Sequence, residues 1–276
     1  MKNNYRFALT ALAASLLIAL PLSSAQAAAI RQASDFTDFS LARNDDGSTG
    51  LVAMGFGINF YGLTTSNLYV NNNGNVTFDG ALGTYTPFAL STTSRQILAP
   101  FFADWDTRPT SYGITQYGTG TVDGRNAFGV NWINIGYYYY GTDRLNSAQL
   151  IITDRSDTGV GNFDFEFNYD QIQWETGDAS GGSGGLGGNS ARVGWSNGAT
   201  NTFELAGSAI NGAFLDGGPN ALIANSLNST VAGRYVWGVR NGTVCTGDCN
   251  NVPEPASLAL LGLGLAALAG LRRRRV

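Results

Sequence analysis

The chain contains no histidine, and its single lysine is Lys2. Without imidazole, neither a Ser-His-Asp nor a Cys-His nucleophile can be assembled, and no histidine metal site can form. Without lysine beyond residue 2, Schiff-base chemistry is excluded as well. Cysteine is nearly absent. Cys245 and Cys249 are the only two, so a tetrahedral zinc would lack half its ligands, and their i, i+4 spacing is not that of a redox CxxC. In an exported chain the pair could close a small disulfide loop, a ring too short to remove much unfolded-state entropy. Charge is sparse, at 13% of residues. Setting aside Lys2, Arg6, Arg272–Arg275 and Glu254 leaves ten basic residues against nineteen acidic ones, a formal charge near −9 on the body of the chain. Such a surface repels phosphate backbones, so nucleic acid is not an expected partner, whereas hydrated cations and neutral glycans are tolerated.

Long apolar runs are confined to the two ends. Lys2 and Arg6 form a basic region, Phe7 to Leu22 an apolar stretch, and Ala25-Gln26-Ala27 an A-x-A cleavage site, so residues 1–27 read as a secretory signal peptide. At the other end, Val252-Pro253-Glu254-Pro255 precedes an apolar run from Ala256 to Leu271 and the cluster Arg272, Arg273, Arg274 and Arg275. Sixteen helical residues give roughly 24 Å, a little less than the ~30 Å hydrocarbon layer, which suits a temporary transmembrane anchor whose arginines stay cytoplasmic. This order and spacing resemble the PEP-CTERM sorting tail of Gram-negative bacteria. The resemblance implies recognition by an exosortase at Pro253-Glu254-Pro255, transient residence in the inner membrane, loss of helix 256–271 and the arginines, and delivery to the cell surface or extracellular matrix.

Between the ends, the dominant pattern has a period of two. Phe163, Phe165, Phe167 and Tyr169 alternate with Asp164, Glu166 and Asn168, predicting a strand with one buried face. Phe128, Val130 and Trp132, and later Tyr235, Trp237 and Val239, repeat it. Leu68 to Val70 and Val76 to Phe78 flank Asn71-Asn72-Asn73-Gly74-Asn75, residues that accept positive φ, which predicts a hairpin. Further strands are expected at 58–61, 97–103, 114–117, 148–153 and 191–195. Short strands separated by turn signals favour an all-β antiparallel sandwich with long loops, flanked by the signal helix and the transmembrane helix. A single short helix is expected near Pro219 to Ser226. Arg31 to Gly50, polar and weakly patterned, and Gly177 to Asn189, rich in Gly and Ser, are expected to be mobile. The expected organisation is a polar N-terminal segment over 28–54, a sandwich over 55–241, a linker with the cysteine pair over 242–252 and the sorting tail over 253–276.

The order of blocks along the sandwich is similar to that of the nidogen-like (NIDO) extracellular domain. The blocks are Phe56 to Gly62, Leu68 to Phe78, Ile97 to Arg108, Phe167 to Trp174, Ala191 to Trp195 and Gly233 to Trp237. The resemblance implies a β-rich module of matrix and adhesion proteins, with cell-matrix adhesion as its role, and it supplies no catalytic set. The cysteine-rich modules that often accompany the domain in animals are missing here.

Three sets of residues invite a function. Asp104 and Asp106, two apart at a strand end, could point the same way and chelate a calcium ion; alternatively either could pair with Arg108 or cap the following turn. The same carboxylates could act as the acid/base pair of a carbohydrate-active enzyme, or calcium could stabilise a glycan-binding module. Finally, Trp105, Trp174, Trp195 and the run Tyr137, Tyr138, Tyr139 and Tyr140 could offer flat rings to sugars. In a strand, alternation would turn two of the four tyrosines outward. Trp132, Trp195 and Trp237 are better read as core residues. The combined expectation is a non-enzymatic surface protein acting in adhesion or exopolysaccharide scaffolding, with matrix polysaccharide or a surface protein as partner.

Overall fold

In the computed structural model, residues 29–245 and Cys249 are described. Fourteen strands run through them: β1 (Phe39–Ser40), β2 (Val52–Phe60), β3 (Leu63–Asn71), β4 (Asn75–Thr77), β5 (Gln96–Phe102), β6 (Trp105–Asp106), β7 (Gln116–Val122), β8 (Arg125–Tyr137), β9 (Asn146–Asp154), β10 (Phe163–Ile172), β11 (Arg192–Asn197), β12 (Thr202–Glu204), β13 (Arg234–Arg240) and β14 (Thr243–Val244). They form two antiparallel sheets. One follows the order β1-β7-β8-β9-β10-β13-β14 with β6 added beside β8; the other follows β12-β11-β5-β4-β3-β2. The all-β antiparallel class is the one expected. Among the described residues no helix is long and apolar enough to cross a membrane. The expected signal helix (1–27) and the expected transmembrane helix (256–271) fall on residues outside those described.

Alternation explains how the sheets meet. Phe163, Phe165, Phe167 and Tyr169 turn one face of β10 inward, each at 1% exposure or less. They join Val130, Trp132, Leu150 and Trp237 of the same sheet and Phe60, Val70, Leu98 and Phe101 of the other in a single hydrophobic cluster. Phe165 lies directly opposite Trp237 across the strands, and their rings stack at 5.1 Å. Two polar handles cross the core. The Tyr169 hydroxyl donates to the Pro100 carbonyl on β5 (2.6 Å), and Trp132 Nε1 donates to the Asn72 carbonyl (3.1 Å).

The predicted hairpin forms, with Tyr69 opposite Thr77 and Asn71 opposite Asn75. Gly74 takes φ +70°, and a Cβ there would lie 1.9 Å from the Phe101 carbonyl oxygen. No other residue type fits this turn without moving β5.

Several expectations are corrected. Arg31 to Gly50 is packed rather than mobile: a 3-10 turn over Ala33–Phe36 buries Phe36 against the outer face of the first sheet, and Ser48 bridges Asn71 of the second. That face carries a ladder of amides, Asn131 accepting from Gln149 (2.9 Å) and Gln149 from Asn168 (3.1 Å). Asn131 donates in turn to the Ala33 carbonyl, and Arg31 forks onto Glu166 at 2.9 and 2.6 Å. Glu166 and Asn168, expected on a solvent face, are therefore buried. The expected domain boundary at residue 55 falls inside β2, and the expected linker begins with β14, paired to β13.

Gly177 to Asn189 is likewise ordered. The buried Glu175 accepts from the Gly187 and Gly212 amides, and a bridge joins Ser183 to Leu186. No helix forms at Pro219 to Ser226. The i→i−3 bonds Ala221 to Gly218 and Ala224 to Ala221 and the i→i−4 bond Asn225 to Ala221 fold the segment into turns, and the Asn220 and Leu222 amides tie it back to the Ala213 and Phe214 carbonyls. Cys245 and Cys249, which the spacing allows to close a small disulfide, stand as thiols in the structure. The Cys249 Sγ–H points to the Gly238 carbonyl at 3.7 Å, and burial with a hydrogen bond to Cys245 pushes that thiol up to about 11.

The sheet edges are β1, β14, β12 and β2. The first three are two or three residues long, and the nine-residue β2 slips register between Ala53 and Ile58.

Gly74→Ala is expected to lower the unfolding free energy by more than about 1 kcal/mol, read as a lower urea midpoint at unchanged slope.

Candidate functional site

One corner of the sandwich gathers the polar residues singled out above, and a buried turn builds it. Asn71, Asn72, Asn73 and Asn75 are all 0% exposed. Asn72 Nδ2 donates to the Asp45 carbonyl and to the Trp105 carbonyl; Asn73 Nδ2 donates to Asp46 Oδ1 at 2.9 Å, while its Oδ1 accepts from the Trp105 amide at 3.1 Å. The loop carrying Asp45 and Asp46 is tied down on both sides. Arg43 donates to the carbonyls of Thr107, Pro109, Gly113 and Tyr112, and Thr107 Oγ1 accepts from the Asn44 amide (2.9 Å).

Asp104 and Asp106 do not act as a pair. Asp106, on β6 and fully buried, grips Arg108 with both oxygens (2.8 and 2.5 Å) and accepts from the Tyr140 amide at 3.0 Å. The hydrogen bond to Asp106 raises the Arg108 guanidinium above its ordinary range. Asp104 turns instead toward Asp45 and Asp46, and the three offer carboxylate oxygens within 4.8 Å of one another. Asp104 is 2% exposed, and its Oδ2, like Asp45 Oδ1, has no hydrogen-bond partner among the described residues. A Cβ on Gly177 would lie 2.3 Å from that Oδ2, so the carboxylate fits only against a glycine. Burial first, then the Asp45, Asp46 and Asp106 carboxylates, push Asp104 up to about 8. Burial lifts Asp45 to about 6, with Arg108 opposing the rise and Asp106 and Asp46 adding to it.

The tyrosine run does not alternate. β8 ends at Tyr137, which is buried and donates from its hydroxyl to Asp143 Oδ1 (2.7 Å). The next three form a tip: Tyr138 and Tyr140 flank the Arg108 guanidinium at 5.3 and 4.2 Å, and Tyr139 is 64% exposed. Trp105 and Trp174 are fully buried and Trp195 nearly so, which removes them as sugar platforms. Sequence reasoning missed Asp45 and Asp46, although the Asn-Asp-Asp-Gly stretch they occupy is a turn signature beside the hairpin it packs on. Pro253, Glu254, Pro255 and Arg272–Arg275 lie outside the described residues.

Residues 66–241 match the nidogen-like domain, and residues 251–275 match the PEP-CTERM protein-sorting motif. The chain belongs to the nidogen-like domain family. Alpha-tectorin of Mus musculus is 31% identical over 221 residues, 71% of this chain and 10% of that protein. Human alpha-tectorin is 31% identical over 228 residues (73% and 10%), and that of Gallus gallus 29% over 251 residues (82% and 11%). The chain thus spans about a tenth of the length of these curated relatives. No solved structure matches it. The sorting motif implies export, surface sorting and processing by an exosortase-type enzyme. The corner joins Asp104, Asp106, Arg108 and the tyrosine tip, inside the nidogen-like match, to Asp45 and Asp46, which precede it.

A carboxyl raised above its unfolded value opposes folding once it must ionise, so the penalty is absent below about pH 4 and complete above about pH 8. In metal-free buffer the melting temperature is expected to fall as pH rises through that window, and Asp104→Asn to flatten the profile. With no histidine present, imidazoles contribute nothing to it. Thermal melts of both proteins at several pH values check this.

Proposed function

We propose that this nidogen-like protein is a non-enzymatic adhesin or scaffold, binding matrix polysaccharide or a surface protein through the tyrosine tip. Exported by its N-terminal signal, it is held transiently in the inner membrane of a Gram-negative bacterium by the 256–271 helix. An exosortase then cuts at Pro253-Glu254-Pro255 and releases it to the surface or the biofilm matrix.

The observation that carries this reading is the tip itself. Tyr139 and Tyr140 are 64% and 46% exposed, yet the tip is held: the Tyr140 amide donates to Asp106 and the Tyr140 ring lies against the Arg108 guanidinium. Exposed aromatic rings on a rigid base give contact area at little entropic cost, which suits glycan and protein surfaces alike. Glycoside hydrolysis is less well supported. That chemistry needs two carboxyl groups flanking one bond, and Asp106 has both oxygens committed to Arg108 while Asp104 faces Asp45 and Asp46.

Binding of the full-length chain to a glycan array and to purified exopolysaccharide tests the proposal. Replacing both Tyr139 and Tyr140 by Ala is expected to weaken binding about tenfold with the melting temperature unchanged. Equal binding by the double variant, or cleavage of the glycan by the native chain, would overturn it.

A further inference from the structure

We infer that Asp45, Asp46 and Asp104 form a binding site for a hard divalent cation, calcium being the best fit, seated between the asparagine turn and Gly177. Three carboxylates with oxygens inside 4.8 Å repel one another strongly, and two of their buried oxygens, Asp104 Oδ2 and Asp45 Oδ1, meet no donor among the described residues. A buried oxygen left without a partner costs about 1–3 kcal/mol, more when charged, so these two call for a donor or cation that the described residues do not supply. The neighbouring cation does not relieve them. Arg108 is bound at both Asp106 oxygens and reaches only Asp45 Oδ2, at 3.4 Å.

The donor chemistry selects the ion. The three side chains present only oxygen, the chain has no histidine, and Cys245 and Cys249 lie beside Gly238 on β13, so neither imidazole nor thiolate is offered to a softer metal. Calcium takes six to eight oxygens in loose geometry, and carbonyls and water can complete a shell begun by three carboxylates. The cradle does not depend on the ion to exist. Asn72 and Asn73 hold the 45–46 loop, Arg43 and Thr107 brace it, and Gly177 leaves room for the Asp104 carboxylate. Because the Tyr138 amide donates to the Asp104 carbonyl (3.0 Å), an ion here also steadies the base of the tyrosine tip.

The inference stands apart from the adhesive reading, and its test uses no glycan. Calorimetric titration of the full-length chain with calcium chloride, alongside melting in calcium, magnesium and EDTA, is expected to show one calcium per chain, a Kd in the range of about 10⁻⁴–10⁻³ M usual for extracellular modules, and a higher melting temperature in calcium. Asp104→Asn and Asp46→Asn are each expected to weaken binding at least about tenfold and to abolish the melting shift, whereas Asp79→Asn, in a separate ion pair with Arg95, leaves both intact. Asp46 is exposed, so its variant reports even where Asp104→Asn folds poorly. Absence of calcium binding by the native chain at millimolar concentration, or binding unchanged in Asp46→Asn, would overturn the inference.

Discussion

The turn from Asn71 to Asn75 is the constraint on which the rest of the molecule depends. Each of its four asparagines is removed from water, so every amide must find a partner inside the protein or its burial opposes folding. Asn71 spans the turn to Asn75 and Thr77 and accepts from the Leu82 amide. Asn72 and Asn73 reach out to the 45–46 loop and to Trp105, and the carbonyls of Asn71 and Asn72 receive the indole of Trp132 from the opposite sheet. Net hydrogen-bond energies of about 1 kcal/mol each are modest, but the loss of one partner leaves another group stranded, so the set behaves as a unit. Strand pairing, two core tryptophans and the acidic corner are thereby coupled through one short loop.

Much of the sandwich was readable from spacing alone, because inward-facing apolar residues recur with a two-residue period that β10 displays from Phe163 to Tyr169, where its register shifts. The hairpin was readable for the same kind of local reason: the asparagines and Gly74 announce a reversal. What spacing could not reveal was which polar residues would be buried. Arg31 to Gly50 looks unstructured because its own residues lack a period, yet it folds as the lid of an amide ladder whose members, Asn131, Gln149 and Asn168, come from three different strands. The Gly177 to Asn189 loop misleads similarly: glycine suggests freedom, while here it permits close contact with Asp104 and a tight circuit around Glu175.

The acidic corner was half visible. Asp104, Asp106 and Arg108 sit in one short stretch, and the pairing of Asp106 with Arg108 was among the alternatives that stretch allowed. Grouping Asp104 with Asp45 and Asp46 requires contact between residues nearly sixty positions apart, which only the packing of the asparagine turn brings about. The tyrosine run was misjudged because alternation holds only inside a strand, and β8 stops at Tyr137. Family membership and the sorting motif, by contrast, are collinear properties and were fully legible.

The sheet borders bear on how copies of an exported chain meet one another. An exposed strand of even length and flat register invites a neighbouring molecule to extend the sheet, and a protein concentrated among its own copies meets that hazard constantly. Here three of the border strands are only two or three residues long, and the fourth, β2, is broken by its slip between Ala53 and Ile58. Backbone pairing between copies is thereby limited at these borders, which leaves side-chain contacts to govern how copies meet.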